Sequence, residues 1–240
     1  MYKYLLLFLS LPFAVFSQSA VITPVYFTHS KDTIKSISFP QINCKVETPE
    51  MSRINNIIKA SVFNSDTAKP VISLLESIYK KDKSFKMKYT INHNKNGLLS
   101  ITIQNTSSKG DRKLPIYLNF DLSAGNLVTL KTFFKTKNDS FSFAQAVIPT
   151  IIDSVQLLEQ TIDKNNLNYG KIIEWLNARL SKFQNSYPSD YSMTDREIIV
   201  YFDCFIPNSL LSYNHTYQVS FFYKTLKNVF KPDIIKRLSN

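Results

Sequence analysis

Residues 94–104, NKNGLLSITIQ, and residues 116–134, IYLNFDLSAGNLVTLKTFF, decide the fold. Apolar and polar residues alternate in both, as on a strand with one buried face. Asn96-Gly97 is a hairpin turn, because both residue types tolerate positive φ. Gly125 marks a second turn for the same reason. With Phe85–Asn92 ahead of them, the segments Leu98–Gln104 and Leu114–Leu122 predict a three-stranded antiparallel meander. No side chain in it is an evident catalyst.

Outward from the meander, strands and helices come in blocks. Val21–His29 and Thr33–Phe39 read as strands, the second broken by Pro40. Met51–Phe63 sets Ile54, Ile57, Ile58 and Val62 on one helical face. Val71–Lys81 does the same behind Pro70, which suits a first helical turn. Ser142–Gln160 predicts a long helix kinked or broken at Pro149. A further helix follows over Lys171–Ser181, then strands over Glu197–Phe202 and Thr216–Tyr223. A last short helix is expected from Leu226 to a break near Pro232. Blocks without strict alternation indicate an α+β fold, an antiparallel sheet packed by amphipathic helices.

The N-terminus reads as an address. Lys3 precedes the apolar run Leu5–Phe16, and Val15-Phe16-Ser17 offers a cleavage site with Gln18 as the new terminus. A dozen apolar residues fall short of the ~20 that span a bilayer. Residues 1–17 are therefore a signal peptide, and residues 18–240 a single α+β domain, with parts of about 21–105 and about 113–230. The expectation is an exported protein, periplasmic or extracellular, with no transmembrane anchor after cleavage. Loss of Lys3 takes the formal charge from +11 to +10. A basic exported chain points to an anionic partner or surface, such as a wall polymer or an acidic protein. Export disfavours nucleic acid.

Export also bears on Cys44 and Cys204, the two cysteines of the chain. A bridge between them would stabilise by about 4–5 kcal/mol in the chain-entropy model; two buried thiols are the other reading. The histidines His29, His93 and His215 lack ligand spacing, so no metal site is expected. The four glycines include no phosphate cradle and no GxSxG elbow. Paired carboxylates remain open, Asp121 or Asp203 against Glu197. No catalytic residue and no cofactor are assigned. Aromatics crowd the C-terminal part, and Tyr213, Tyr217, Phe221, Phe222 and Tyr223 are candidates for an exposed patch. The plainer reading fills a buried sheet face with every second ring.

The meander resembles a family of extracytoplasmic domains of largely unknown function, shared by the RsiV extracellular domain and the PdaC N-terminal domain. The resemblance is carried by Asn96-Gly97-Leu98-Leu99-Ser100-Ile101 and by the segment from Phe120 to Leu130. Upstream, residues 37–42 and 54–58 are similar to the family's Pro-ended strand and first helix; downstream, residues 199–203 and 219–226 are similar to its closing hairpin and helix. A family loop of Gly-Gly-Ala-His type is replaced here by residues 107–112, SSKGDR, and Thr132 stands where an acidic residue is usual. Deacetylase activity does not carry over, since no such domain follows. The resemblance implies a non-catalytic domain engaging a protein partner at the envelope. Binding of an anionic wall polymer or glycan is the alternative, and an envelope hydrolase the third reading. RsiV-like domains recognise lysozyme, but lysozymes are generally basic, and the charge of this chain argues against that partner.

Overall fold

The computed structural model describes residues 19–29, 32–43, 47–64, 68–107 and 114–239. The expected signal peptide, residues 1–17, therefore lies outside the described residues, as does Cys44. The α+β class holds: a six-stranded, mostly antiparallel sheet, a three-stranded antiparallel sheet and six helices are found among the described residues.

The first sheet runs in chain order. Val21–His29 (β1) pairs with Asp32–Asn43 (β2), and β2 meets Lys86–Lys95 (β3) in parallel at Ile37 and Met87. The meander follows as Leu98–Thr106 (β4), Ile116–Asp121 (β5) and the short Asn126–Leu127 (β6), all antiparallel. Pro40 does not end β2. It pairs with Pro24 of the edge strand β1, where a missing N–H is tolerated. Asn96 (φ 52°) and Gly97 (φ 76°) form the expected left-handed turn between β3 and β4.

Pro49–Phe63 (α1) and Val71–Lys81 (α2) cover one face of this sheet. Ile54 and Ile58 of α1 and Leu75 of α2 are completely buried against Leu99, Ile101 and Ile103 of β4 and Phe120 of β5. Each such side chain contributes roughly 1.5–3 kcal/mol relative to exposure. The Asn55 amide accepts from Ile42 N–H (2.8 Å) and donates to Ile42 C=O (3.0 Å), so α1 serves the end of β2 as a partner strand would.

The second core belongs to the C-terminal part. Lys137–Thr161 (α3) and Tyr169–Gln184 (α4) pack on the sheet of Tyr191–Met193 (β7), Glu197–Ile206 (β8) and Tyr213–Phe222 (β9). Tyr223–Leu226 (α5) and Pro232–Ser239 (α6) close the chain. Pro232 opens α6 rather than breaking the helix before it. Apart from Leu98 of β4, which is buried in the second core, the buried residues of the first core end at Leu122 and those of the second begin at Leu130.

α3 begins earlier than its apolar period suggests. Thr136 and Asp139 form a reciprocal capping box that adds a polar first turn. Pro149 lies inside a continuous helix rather than at a break. It is exposed, so the carbonyl that it leaves unpaired faces water instead of the core. By length and composition alone α3 would qualify to cross a membrane. In the structure its stripe of Phe143, Val147, Ile151, Val155 and Leu158 is buried in the second core.

Candidate functional site

β4 and β5 are buried on both faces because the second sheet packs behind them. Period-2 alternation turns Leu99, Ile101 and Phe120 toward α1 and sends Ser100, Tyr117 and Asn119 to the junction. There Met193 N–H donates to Ser100 Oγ (3.1 Å), and Asn119 Nδ2 donates to Tyr191 C=O (2.7 Å). On β8 the even positions Ile198 to Ile206 fill the helix-side core, which aims Tyr201 and Asp203 at the same junction.

The side chains that meet there form a connected network. Tyr117 and Tyr201 stack with centroids 4.3 Å apart and planes 8° from parallel. Tyr117 Oη donates to Asp203 Oδ1 (3.3 Å), as does Thr216 Oγ1 of β9 (2.6 Å). Tyr201 Oη and Ser192 Oγ lie 2.8 Å apart. Arg179 of α4 donates from Nη2 to the Asp203 carbonyl (2.7 Å), with its guanidinium over Trp175 and Phe202. Burial raises the Asp203 pKa above the ordinary carboxylate value and the Asp190 charge adds to this, against the hydrogen bonds from Thr216 and Tyr117 and the charge of Arg179. Burial, then the Asp203 carboxylate, pushes the Tyr117 phenol well above its usual value. Tyr117 is thereby held as a donor, which suits a fixed scaffold better than proton transfer near neutrality.

The network opens onto a groove of about 230 Å³ at the end of β4, lined by Gln104, Asn105, Thr106, Pro115, Phe205, Asn214, His215 and Thr216. Among the described residues its lining has no Lys, Arg, Asp or Glu. Asn105 is buried, and its Oδ1 has no hydrogen-bond donor. A second cleft of about 160 Å³ shares Phe205 and Asn214 and reaches Arg179.

On the far side of the meander, α6 clamps the hairpin turn. Arg237 donates from Nε to Asn96 C=O (3.0 Å), from Nη2 to Gly97 C=O (2.8 Å) and from Nη1 to Asp121 Oδ2 (2.8 Å). Asn96 Nδ2 returns a bond to the Arg237 carbonyl (3.0 Å). Asp121 thus pairs with Arg237, not with Glu197. Burial alone would raise the Asp121 pKa. The hydrogen bonds from Arg237 and Ser123, the Arg237 charge and the Ala124 N–H outweigh it, and the carboxyl is brought to about 2. Gly125 (φ 66°) lies against α1, where a Cβ would stand 2.6 Å from Glu50 Cα.

The aromatic candidates divide. Phe222 is half exposed, with Lys224 Nζ 5.6 Å from its ring centre. Tyr213, Tyr217 and Phe221 are partly buried against the second core, and Phe221 packs on Phe143. Tyr223 is no surface ring: it is buried in the second core and its Oη donates to Thr194 C=O (2.7 Å). Cys204 is a buried free thiol whose pKa is pushed by burial up to about 12; its candidate partner Cys44 lies outside the described residues. His93 is buried, with Nδ1 3.3 Å from Asp195 Oδ1 but neither ring nitrogen in hydrogen-bonding alignment. Among the described residues no group of three or more His, Cys, Asp and Glu could hold a metal ion.

Sequence reasoning named Asp203 but missed Tyr117, Thr216, Asn105 and Arg237. The hydrogen-bond partners of Tyr117, Thr216 and Arg237 lie from 13 to 141 residues away in the chain. The one available signal was parity: Tyr117 and Tyr201 both fall on the polar phase of their strands.

No family model matches the chain, and no curated protein matches it at a significant level. Solved structures share its fold, among them two DUF3298 proteins. One is a DUF3298 family member from Bacteroides fragilis NCTC 9343, with TM-score 0.53 and 10% identity over 92% of this chain and 97% of that one. The other is a DUF3298 family protein from Pseudomonas aeruginosa PAO1, with TM-score 0.52 and 12% identity over 90% and 97%. At such identities the likeness is one of fold, to domains of unknown function.

Proposed function

We propose that this chain, built on the fold of the DUF3298 structures, is an exported RsiV/PdaC-like domain that binds a protein partner at the cell envelope and has no catalytic role. One observation carries the reading: the uncovered edge of β9. This strand runs ten residues, YNHTYQVSFF, in unbroken register with β8. It contains no Lys, Arg, Asp, Glu, Pro or Gly. Its outer edge has no strand partner among the described residues, and apart from Thr225 Oγ1 on the Phe222 carbonyl (2.7 Å) no hydrogen bond to it is found there.

Free sheet edges are usually blunted by charge, proline or bulges. The opposite edge of the molecule follows that rule, since β1 carries Pro24 and a register shift between Tyr26 and Phe27. β9 has neither device. A regular, uncharged edge is what an extended segment of another protein needs in order to add as a further strand. Lys224 beside the exposed Phe222 gives that edge a positive end, which favours an acidic segment.

The titratable groups fit a binding role. Cys204 is held as a thiol, Asp203 is engaged by Thr216 and Tyr117, and His93 is held toward its neutral form by burial. The test is capture from envelope extract by the immobilised exported chain, compared with Gln218→Lys and Ser220→Lys, two exposed positions of β9. A stoichiometric protein lost with both substitutions supports the reading. Recovery of polymer alone, or capture indifferent to both, contradicts it.

A further inference from the structure

Two short stretches carry three lysines each and no acid: residues 131–138, KTFFKTKN, and residues 224–231, KTLKNVFK. The fold sets them side by side. Phe134 and Phe230 form an antiparallel bridge, flanked by Lys135 N–H on Val229 C=O (2.9 Å) and Lys231 N–H on Phe133 C=O (2.8 Å). Lys135 Nζ donates to the Asn228 carbonyl (2.8 Å), beside Lys227. Beneath this ladder Phe133 and Phe134 are buried, each edge-on to Phe230, with centroids 5.8 and 4.8 Å apart. The base is therefore fixed, while Lys131, Lys135, Lys137, Lys224, Lys227 and Lys231 are all exposed.

Gathered cations repel one another, and the nearest acids do not relieve them. Asp139 is held by the backbone and hydroxyl of Thr136. Asp233 opens α6 and Glu197 lies opposite Phe222, but among the described residues no ion pair involves any of the six lysines. An anionic partner offsets that repulsion. None of the six lines either cleft described above, so the array suits a broad surface better than an enclosed ligand. Phe222 is half exposed with Lys224 Nζ 5.6 Å from its ring centre, the pairing of apolar ring and cation that interfacial binding uses.

We propose that this face docks on a bilayer of anionic phospholipid, with the lysines on the phosphate headgroups and the Phe222 ring at their depth. Phe222 and Lys224 are shared with the end of β9, but the assignment does not rest on the protein partner proposed for that strand.

The test is co-sedimentation of the exported chain with vesicles of phosphatidylcholine, with and without ~30% phosphatidylglycerol. Binding is expected to the mixed vesicles only, and to be lost in ~0.5 M NaCl. A lysine near such a surface is worth about fivefold, so joint Lys137→Gln, Lys227→Gln and Lys231→Gln should cost about a hundredfold. All three are exposed, and the melting temperature should hold. Joint Lys81→Gln, Lys86→Gln and Lys88→Gln removes the same charge from α2 and β3, and should cost less than about threefold. Gln218→Lys and Ser220→Lys should bind vesicles at least as well as the native chain. No binding to mixed vesicles, equal binding to phosphatidylcholine alone, equal loss in the two triple variants, or loss in the two β9 variants would each overturn the assignment. Soluble polyphosphate that binds more tightly per phosphate than the vesicles would overturn it too, in favour of a free polyanion.

Discussion

Arg237 Nη1 stands 2.8 Å from Asp121 Oδ2, which fastens the last helix of the chain to the middle of the N-terminal sheet. The same guanidinium caps the carbonyls of Asn96 and Gly97, so a single side chain joins the two cores across the hairpin turn. Both partners are mostly buried, with side chains 26% and 20% exposed, and the pair is correspondingly less screened than a surface bridge.

Arg237→Ala is therefore expected to destabilise by about 2–3 kcal/mol, because three carbonyl and carboxylate acceptors lose a charged donor. The pH dependence has a definite sign. Asp121 has a folded pKa of about 2 against about 3.9 unfolded, so its contribution is complete above the unfolded value and is lost as pH falls from about 4 toward 2. Denaturant melts at pH 5, 4 and 3 should show this loss in the native chain and a weaker one in Arg237→Ala.

Gly125 meets two constraints at once, positive φ and the backbone of Glu50 at 2.6 Å from any Cβ. Gly125→Ala should cost about 2 kcal/mol or more, with α1 displaced. An equilibrium denaturation curve shifted to lower midpoint with unchanged slope is the expected result.

His93 makes the opposite use of burial. Desolvation lowers its pKa, against the pull of the nearby Asp195 carboxylate, with Lys95 assisting the lowering. The unfolded state then binds a proton near pH 6.5 that the folded state refuses. Stability from this group is complete above about 6.5 and falls as pH drops below it toward the depressed folded value. A His93→Gln variant should flatten that part of the stability profile while leaving the Asp121 limb near pH 3.

Cys204, buried and with its pKa raised to about 12, should resist alkylation in the native protein and react on unfolding. Counting thiols in denatured, unreduced, exported protein settles its relation to Cys44. A reactive Cys204 there is the outcome the free thiol implies, and no thiol at all would establish the bridge.

The meander was legible because its cause is local. Asn96, Gly97 and Gly125 need positive φ, and Leu99, Ile101 and Ile103 keep strand phase. The helices up to α4 were legible to within a few residues by their apolar stripes, except where polar chemistry extends them, as Thr136 and Asp139 do at α3. The last expected helix, from Leu226 to Pro232, instead falls between α5 and α6. What the sequence hid is long-range. The parallel contact of Ile37 with Met87 and the second sheet packed behind β4 leave no local signature. Tyr223 shows the limit of pattern reading: it follows the strand phase of Phe221 and Phe222 until the chain turns into α5 and carries the ring inward. For the groove, Asn105 reads as an ordinary strand-end residue, and its missing donor shows only in three dimensions.

The partner claim is tested most directly by hydrogen exchange along β9. With the captured envelope protein bound, the amides between Tyr217 and Phe222 should gain protection, and Gln218→Lys and Ser220→Lys should lose it together with at least a tenfold drop in affinity. Protection confined to other surfaces, with β9 exchanging as in the free protein, would contradict it.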